Sequence, residues 1–388
     1  MRVVQICPTP FPSLGGPAKN YAQFHAALNT ETICFIRPSD GVGEIMVVPT
    51  KINIRTVDFP LLTHYYYTEP AELKMAELVI AEANCLIIHN FYRFPAAWGA
   101  RVARKHNVPY IVVLHGILDP WVFNKNGILK RLWLNLYGYE ILNFASGVLC
   151  ATNRERSKAE RYLKPDTGKV VPWAVEIPGS ASRESRRAAL RASLGIGDED
   201  RVIIFFGRLD KMKRPIETLE LAANMREPRL KLLVVGPDAD VTSQQLIRKA
   251  RRLKWDGLRV IGPCFGTEKF NYLGAADAYI SLSHRENFNF TAAEAMMSGL
   301  PVILSEGNDL GWEFVGQGFS WQLHTQDANE ARAALRSFLQ TSPSTMADMG
   351  RAAAKWAAAN LSTTQFKQKL TTVVEDCVIN YQCGPTGR

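Results

Sequence analysis

The chain alternates short apolar segments with longer amphipathic ones, and this alternation starts twice. In the first half, apolar runs of strand length occupy residues 3–7, 32–36, 86–89, 110–114, 148–151 and 170–172. Apolar side chains recur at helical spacing in residues 17–28, 70–83, 96–105, 128–144 and 154–162. Strands that alternate with helices in this way predict a doubly wound, largely parallel sheet.

The second series follows residues 178–201, which are rich in Ser, Arg, Ala and acidic residues and are interpreted as a linker with a short helix. Further apolar runs then occupy residues 202–206, 231–235, 259–261, 278–282, 302–305 and 319–322. A length of 388 residues is ample for two domains. The sequence therefore predicts an α/β protein with two similar domains that meet near residue 178.

Two glutamates eight positions apart stand at one strand–helix junction. Glu286 lies in the turn after the apolar run 278–282, and Glu294 lies on the helix that follows, before Gly299 and Pro301. Open α/β sheets bind ligands at the carboxyl ends of their strands. A carboxylate there can accept hydrogen bonds from sugar or ribose hydroxyls. The alternative is an ordinary strand–helix unit with incidental acidic residues.

A second junction combines a glycine with cations. The apolar run 202–206 leads into Gly207, Arg208 and Lys213 follow, and Pro215 suits the first turn of a helix. A helix N-terminus supplies N–H groups and a positive dipole, and Arg and Lys add positive charge, so this segment is suited to a diphosphate. The alternative is a solvated basic loop.

Together these two segments resemble glycosyltransferase family 4. The resemblance rests on Glu-x7-Glu followed by Ala-Met-x-x-Gly-x-Pro-Val, and on Gly-Arg-Leu-x-x-x-Lys. Two residues depart from the family pattern, because Arg214 and Asn289 stand where the family usually has glycine. The expected effects are a changed loop at Arg214 and an altered donor pocket at Asn289.

The resemblance implies the GT-B fold, in which two Rossmann-like domains face each other across a cleft. The expected acceptor-side domain covers residues 1–177 and is joined by a C-terminal helix at residues 362–388. The expected nucleotide-sugar-binding domain covers residues 178–361.

The resemblance also implies a role for each motif residue. Arg208 and Lys213 would neutralise the leaving diphosphate, Glu294 would hold the ribose hydroxyls, and Glu286 would contact the donor sugar. A nucleophilic role for Glu286 is the alternative to this positioning role. The donor site would also include Gly207 and the backbone amides of Asn287, Phe288, Asn289 and Phe290.

Two features of the first half also match the family. Gly15 and Gly16 form a loop after the first strand, which in the family lies beside the diphosphate and the acceptor; a plain tight turn is the alternative. His115 ends the strand at residues 110–114, where a family histidine faces the donor sugar near its 6-hydroxyl. A structural histidine and a general base are the alternatives for His115.

Motifs of other nucleotide-binding classes are missing. The first strand is not followed by Gly-x-Gly-x-x-Gly, and the sequence contains no Gly-Lys-Ser/Thr P-loop. One Asp-x-Asp, at Asp238 and Asp240, resembles the metal-binding pair of GT-A transferases, but it follows the strand at residues 231–235 and is interpreted as a turn near the nucleotide. We therefore expect neither a metal ion nor another cofactor.

These observations predict a retaining hexosyltransferase. It would move a sugar from a UDP- or GDP-sugar to a hydroxyl of a glycan, polysaccharide or lipid-linked acceptor. The run His-Gly-x-Leu-Asp-Pro-Trp from His115 resembles a subgroup that builds exported polysaccharides. The alternatives are a nucleotide-sugar epimerase of the same fold and a non-catalytic GT-B scaffold that binds nucleotide.

Charge and hydropathy indicate where such an enzyme would act. The net charge is +9, and residues 1–175 carry 19 Lys and Arg against 13 Asp and Glu. Lys130 and Arg131 lie among Leu, Trp and Tyr, which favours either peripheral contact with an anionic membrane or an ordinary core helix. No segment has the roughly 20 apolar residues of a membrane span, and neither a signal peptide nor a nucleic-acid motif is recognisable. With seven scattered cysteines, a cytoplasmic protein is expected.

Overall fold

The computed structural model divides the chain into two compact units. Unit 1 comprises Met1–Ala174 and Thr363–Arg388, and unit 2 comprises Val175–Ser362. The structure describes residues 1–12, 16–38, 40, 44–56, 66, 68–124, 126–177, 183–264, 266–325 and 327–383. The unit boundaries lie at residues 174/175 and 362/363, whereas the sequence analysis placed them at 177/178 and 361/362.

Unit 1 is built on a parallel sheet of seven described strands. The strands are β1 (Val3–Pro8), β2 (Glu31–Ile36), β3 (Ile52–Arg55), β4 (Cys85–Ile88), β5 (Tyr110–Val113), β6 (Gly147–Cys150) and β7 (Gly168–Val170). Their order in the sheet is β3-β2-β1-β4-β5-β6-β7. All residues of β1, β4, β5 and β6 are buried, which agrees with a parallel sheet covered on both faces.

Helices connect these strands. They are α1 (Gly16–Leu28), α2 (Pro70–Ala81), α3 (Phe94–Lys105), α4 (Gly127–Trp133), α5 (Tyr139–Phe144) and α6 (Asn153–Ala159). The sequence predicts one helix over residues 128–144, but a π-helical turn, Leu134–Gly138, interrupts it. The edge strand β3 was missed because only Ile54 of its four residues is buried, which weakens its apolar signal.

Unit 2 contains a second parallel sheet. Its described strands are β8 (Arg201–Phe206), β9 (Leu230–Val235), β10 (Leu258–Gly262), β11 (Ala278–Ser281), β12 (Val302–Ser305) and β13 (Ser320–Leu323), in the order β10-β9-β8-β11-β12-β13. Its helices are α7 (Arg183–Ser193), α8 (Pro215–Asn224), α9 (Ser243–Arg252), α10 (Lys269–Ala275), α11 (Phe290–Met297), α12 (Ala328–Gln340) and α13 (Pro343–Leu361). The prediction of two α/β domains with parallel sheets is confirmed.

The C-terminal helix expected at residues 362–388 is α14 (Thr363–Cys383) in the described part of the chain. After α13 the chain is extended at Ser362, and α14 then packs in unit 1. The ring of Phe366 lies 5.5 Å from that of Phe24 and 6.3 Å from that of Trp173. Farther along α14, Sγ of Cys377 lies 3.3 Å from the carbonyl oxygen of Ser146. The buried face of α14 therefore completes the core of unit 1.

No helix among the described residues combines the length and the apolar character that crossing a bilayer requires.

Candidate active site

The strand order of unit 2 reverses between β8 and β11. From β8 the chain proceeds outward through β9 to β10, then returns to place β11 on the other side of β8. The loops that follow β8 and β11 therefore leave neighbouring strands in opposite directions and open a crevice at the carboxyl edge of the sheet. These are the two loops that carry Arg208, Lys213 and Glu286.

The loop after β8 is shaped by local hydrogen bonds. Asp210 caps a single turn of 3-10 helix, Lys211–Lys213, because its carboxylate accepts the N–H of Lys213 at 3.0 Å. A guanidinium nitrogen of Arg208 lies 3.3 Å from the Asp210 carboxylate, and the Arg208 side chain is 69% exposed. Arg208 is therefore accessible to a ligand that enters the crevice.

Arg214 adopts a backbone conformation that favours glycine. Its φ of 57° and ψ of 50° are left-handed, and Pro215 begins α8 directly after it. A left-handed conformation costs a non-glycine residue roughly 1–2 kcal/mol. A glycine would adopt this conformation without that cost, and the effect of Arg214 on the shape of the loop stays a prediction.

A close backbone contact holds the base of this loop. A Cβ atom on Gly236, just after β9, would lie 1.9 Å from the carbonyl oxygen of Gly207. Only a glycine at position 236 allows this approach. The contact fixes Gly207 at the entrance of the Arg208 loop.

Backbone hydrogen bonds hold the loop after β11 against its neighbours. The N–H of His284 donates to the carbonyl of Met212 at 2.9 Å, which joins the two motif loops directly. Glu286 donates its N–H to the carbonyl of Gly307 and accepts the N–H of Asp309, both at 2.8 Å. The backbone of Glu286 is thereby fixed at the carboxyl edge of the sheet.

Lys213 and Glu286 meet where the two loops join. The Lys213 ammonium contacts Oε1 of Glu286, and the hydroxyl of Ser283 lies 3.4 Å from the same oxygen. Burial alone would lower the pKa of Lys213, but the facing Glu286 carboxylate, with Tyr279 and Asp210, raises it above its usual value. Lys213 is therefore a permanent positive charge in the crevice.

Asn289 also adopts a left-handed conformation, with φ of 55°, at the N-cap of α11. Its side chain is buried and accepts the hydroxyl proton of Tyr279 at 3.2 Å and the N–H of Ala292 at 3.1 Å. Phe288 is also buried and packs against Phe290 with ring centroids 5.0 Å apart. As placed here, Phe288 and Asn289 can offer a donor their backbone but not their side chains.

A buried polar network beneath the crevice was not foreseen. Asn308 is fully buried, accepts the side-chain amide of Asn289 at 2.7 Å, and donates to the Ser281 carbonyl at 3.1 Å and the Ser305 hydroxyl at 2.9 Å. Ser305 in turn donates to the carbonyl of Ser283 at 2.7 Å. The network holds the ends of β11 and β12 together. The only sequence signal was the occurrence of small polar residues at the ends of two apolar strands.

Glu294 has a partner that sequence reasoning missed. The ammonium of Lys269, the first residue of α10, lies 2.5 Å from Oε1 of Glu294, and the two side chains are 16% and 9% exposed. Lys269 precedes Glu294 by 25 residues in the chain, so their spacing carries no signal. An almost buried carboxylate thus has an ammonium group directly beside it.

In unit 1 the strand order reverses between β1 and β4, and β5 lies beside β4. His115, which follows β5, lies edge to edge with His89, which follows β4, with ring centroids 5.4 Å apart and ring planes inclined by 25°. The side-chain amide of Asn20 donates to Nδ1 of His115 at 3.1 Å, and Nε2 of His115 lies 3.1 Å from Nδ1 of His89. Since the amide nitrogen can only donate, the proton of His115 is on Nε2, and this N–H donates to His89. Both ring nitrogens of His115 are therefore bonded within unit 1.

The loop that carries His115 is strained and anchored. His115 has φ of 53° and Gly116 has φ of 74°. The buried carboxylate of Glu155 accepts the N–H groups of Gly116 and, at 2.6 Å, Ala151. Burial lowers the pKa of His115 to about 4, so this ring is neutral at neutral pH. The predicted Gly15 lies outside the described residues, and Gly16 is the first residue of α1.

Asp238 and Asp240 are engaged in loop structure. Asp238 accepts the N–H and the hydroxyl of Ser243 at 2.8 and 2.6 Å, and Asp240 accepts the N–H of Lys211 at 3.2 Å. Within the described part of the chain, no three His, Cys, Asp or Glu side chains are grouped as a metal site would require.

Comparison with protein families identifies both halves. The model described as "Glycosyltransferase Family 4" matches residues 18–177, and the model described as "Glycosyl transferases group 1" matches residues 186–356. The chain belongs to glycosyltransferase family 4. The matched regions contain every residue assigned to the candidate site except Gly15 and Gly16.

Named relatives of this family member are glycosyltransferases. "D-inositol 3-phosphate glycosyltransferase 2" of Catenulispora acidiphila is 30% identical over 289 residues, which are 70% of this chain and 66% of that protein. "GDP-mannose:cellobiosyl-diphosphopolyprenol alpha-mannosyltransferase" of Xanthomonas campestris is 24% identical over 322 residues, 79% of each chain. The chain spans only 51% of a second inositol phosphate glycosyltransferase, from Streptomyces bingchenggensis.

Solved structures agree on the fold. Anabaena Alr3699/HepE, crystallised with UDP, is similar with a TM-score of 0.77 and 17% identity, covering 97% of this chain and 100% of that one. The predicted GT-B fold class of this family 4 member is confirmed.

Proposed function

We propose that this chain is a retaining glycosyltransferase that moves a sugar from a UDP- or GDP-sugar to an acceptor hydroxyl. The observation that carries the proposal is the contact between Lys213 and Glu286 at the strand-order reversal of unit 2. In the proposed reaction the bond between the sugar and the diphosphate breaks, and Lys213 and Glu286 lie side by side to contact one partner each. One partner is a departing diphosphate, and the other is a sugar ring rich in hydroxyls.

The chemistry follows from where charge develops. As the bond between the anomeric carbon and the diphosphate lengthens, negative charge grows on the diphosphate oxygens. Lys213 and Arg208 would stabilise that negative charge, and the backbone N–H groups at the N-termini of α8 and α11 would stabilise it further. This cationic set allows the diphosphate to leave without a metal ion.

The acids would position the donor. Glu286, fixed through its backbone, would accept hydrogen bonds from the sugar hydroxyls, and Glu294 would accept them from the ribose. Unit 2 is thus the nucleotide-sugar side of the proposed enzyme, and unit 1 is the acceptor side. His115 would act on the sugar as a neutral group, because its pKa is lowered to about 4. To donate a hydrogen bond from Nε2 to the sugar, His115 would have to break its hydrogen bond to His89 and form one to the sugar hydroxyl instead.

Both donor bases and a lipid-linked acceptor are within the proposal. One relative is named for GDP-mannose and a diphosphopolyprenol acceptor, and one structural neighbour contains UDP. We further propose that the enzyme serves polysaccharide synthesis in the cytoplasm, with peripheral contact to an anionic membrane. The net charge of +9 supports this contact.

A thermal-shift screen with UDP, GDP, ADP and their sugar conjugates tests the donor site. A ligand that binds only the folded state raises Tm. One nucleotide is expected to raise Tm equally with and without EDTA. A shift that EDTA abolishes would contradict the metal-free mechanism, and no shift with any nucleotide would contradict the donor site.

A product assay then separates the proposal from its alternatives. With the donor that binds, product is expected only when an acceptor is present. Anomeric analysis of that product is expected to show the same configuration as in the donor. Conversion of the donor sugar without acceptor would indicate an epimerase. Tight nucleotide binding without turnover across an acceptor panel would indicate a non-catalytic scaffold.

A further inference from the structure

Unit 1 contains an apolar groove beside the histidine pair. Its volume is about 610 Å³, within the range of roughly 300–1,000 Å³ typical of ligand pockets. Phe91 and Tyr92 after β4, Ile117 after β5, and Leu129, Trp133 and Leu136 line it. The rings of Phe91 and Tyr92 lie 4.9 and 5.3 Å from that of Trp133, so the wall is largely aromatic.

The helix that forms one side of the groove exposes apolar side chains in succession. Ile128 is 83% exposed, Leu129 56%, Leu132 53% and Leu136 59%. Single exposed apolar residues are ordinary, but a contiguous patch indicates a binding surface. The π-helical turn Leu134–Gly138 lies in the same segment, and such turns occur frequently at functional sites.

Charge at the groove is of one sign. Arg37, Arg93 and Lys130 contribute to its lining, and no Asp or Glu is among the described residues that line it. Arg37 is paired with Asp40, which lies outside the lining. An apolar wall with cations suits an amphiphile that has an anionic head, such as a phosphate or diphosphate.

The position of the groove connects it with the reaction. Asn90 and Ile117 line the groove. Asn90 directly follows His89, and Ile117 lies two residues after His115, so both belong to the loops that carry the histidine pair. The groove therefore starts at the carboxyl ends of β4 and β5, where ligands of parallel sheets bind. Its concave shape suits a single chain lying within it better than the flat surface of a bilayer.

We propose that this groove binds an apolar chain attached to a phosphate or diphosphate, as in a lipid-linked acceptor. The chain would lie against Trp133 and Leu129, with the anionic group toward Arg93 and Lys130. This inference rests on the proposed function, because it assigns the acceptor class of that enzyme.

Binding of farnesyl diphosphate, followed by titration calorimetry, tests the groove. The nucleotide that raises Tm is present in excess, so that the diphosphate does not report the donor site. Leu129→Glu and Leu132→Glu place a carboxylate at exposed positions of the groove and are expected to weaken binding at least about tenfold. Leu78→Glu, on α2 and 58% exposed, is the matched control and is expected to bind as the wild type does.

The probes separate the sources of binding. Inorganic diphosphate lacks the apolar chain, so it is expected to compete with farnesyl diphosphate only when it is in large excess. Equal binding by all three variants, or full competition by inorganic diphosphate at equal concentration, would overturn the proposal. Flotation with phosphatidylcholine vesicles, with and without phosphatidylglycerol, measures association of the protein with a membrane surface. If the groove variants lost only vesicle association and kept farnesyl diphosphate binding, the surface would serve membrane contact and the proposal would be overturned.

The nucleotide thermal shift, repeated on the same variants, distinguishes this proposal from the proposed function. A normal nucleotide shift with unchanged farnesyl diphosphate binding in the groove variants would contradict the groove alone. Absence of the nucleotide shift in the wild type would contradict the donor site, whatever the groove binds.

Discussion

Nδ1 of His89 lies 3.1 Å from Nε2 of His115, and this contact joins the carboxyl ends of β4 and β5 through two imidazole rings that lie edge to edge. His89 is fully buried, and its Nε2 has no hydrogen-bond partner among the described residues. Burial, with the neighbouring His115, lowers the pKa of His89 well below its usual value. The pair is therefore stable only when neutral.

The neutral pair predicts a pH dependence of stability. Burial lowers the pKa of His115 to about 4 from 6.5, so between these pH values the unfolded chain binds more protons than the folded chain. The contribution of neutral His115 to the free energy of unfolding is therefore complete above about pH 6.5. It decreases as the pH falls toward about 4, by roughly 1.4 kcal/mol for each pKa unit of the shift. Urea unfolding at several pH values measures this slope.

His115→Asn is expected to flatten that slope. His324→Asn, at a side chain that is 61% exposed, controls for the loss of an imidazole elsewhere. An unchanged slope in the His115 variant would show that its ring titrates normally in the folded protein.

Lys269→Met is expected to destabilise the protein and to weaken nucleotide binding. The change leaves the almost buried Glu294 carboxylate without the cation beside it, and breaking a buried pair costs about 3–5 kcal/mol. The measured cost should be somewhat lower here, because both groups keep some exposure. Urea unfolding and the nucleotide thermal shift give the two quantities.

The double variant Lys269→Met, Glu294→Gln supplies the test of coupling. We expect it to recover part of the stability lost by Lys269→Met but none of the nucleotide affinity, because the ribose-binding carboxylate is gone. Strictly additive losses of stability would mean that the two side chains act independently.

Arg208→Ala is expected to slow turnover at least about tenfold and to change stability by less than about 0.5 kcal/mol. The side chain is 69% exposed, so the folded protein loses little, whereas the departing diphosphate loses a charged donor. Lys211→Ala, three residues along the same loop and also exposed, is the control and should keep wild-type kcat. Equal losses of kcat in the two variants would indicate a general field effect and not a contact.

Arg214 predicts a contrast between two substitutions. Arg214→Gly relieves the left-handed conformation, whereas Arg214→Val places a β-branched residue there. We expect the valine variant to be less stable than the glycine variant by about 1–3 kcal/mol, measured by urea unfolding. The glycine variant should also keep nucleotide affinity. Equal stabilities would show that the loop relaxes to another conformation.

The sequence sufficed for features set by periodicity and by strand ends. The strands β4 and β8 are almost wholly apolar, and β1 and β9 each contain only one polar residue, Gln5 and Lys231, so their existence and their parallel packing were predictable. The resemblance to the family implied that Lys213 and Glu286 share a donor site, and the two side chains are in contact in the structure. Among the described strands only β3 was missed, because it has four residues and only Ile54 of them is buried.

Pairings between distant segments were not predictable. Lys269 meets Glu294, and Asn20 meets His115, through the packing of whole helices and loops, which spacing along the chain does not encode. The conformations of Arg214 and Asn289 were hidden for another reason. Local propensity disfavours the left-handed region for Arg214 and tolerates it for Asn289 without requiring it, so the surrounding hydrogen bonds and packing decide both conformations.

The return of α14 to unit 1 has a consequence for biosynthesis. Unit 2 is one continuous segment, whereas unit 1 needs residues 363–383, which leave the ribosome after all of unit 2. Phe24 and Trp173 therefore lack their contact with the Phe366 ring until the nearly 190 residues of unit 2 have been translated. Since domains generally fold as units during synthesis, the later unit in the sequence can fold first. The nascent first unit is then the part of the molecule whose apolar core stays incomplete for longest during synthesis.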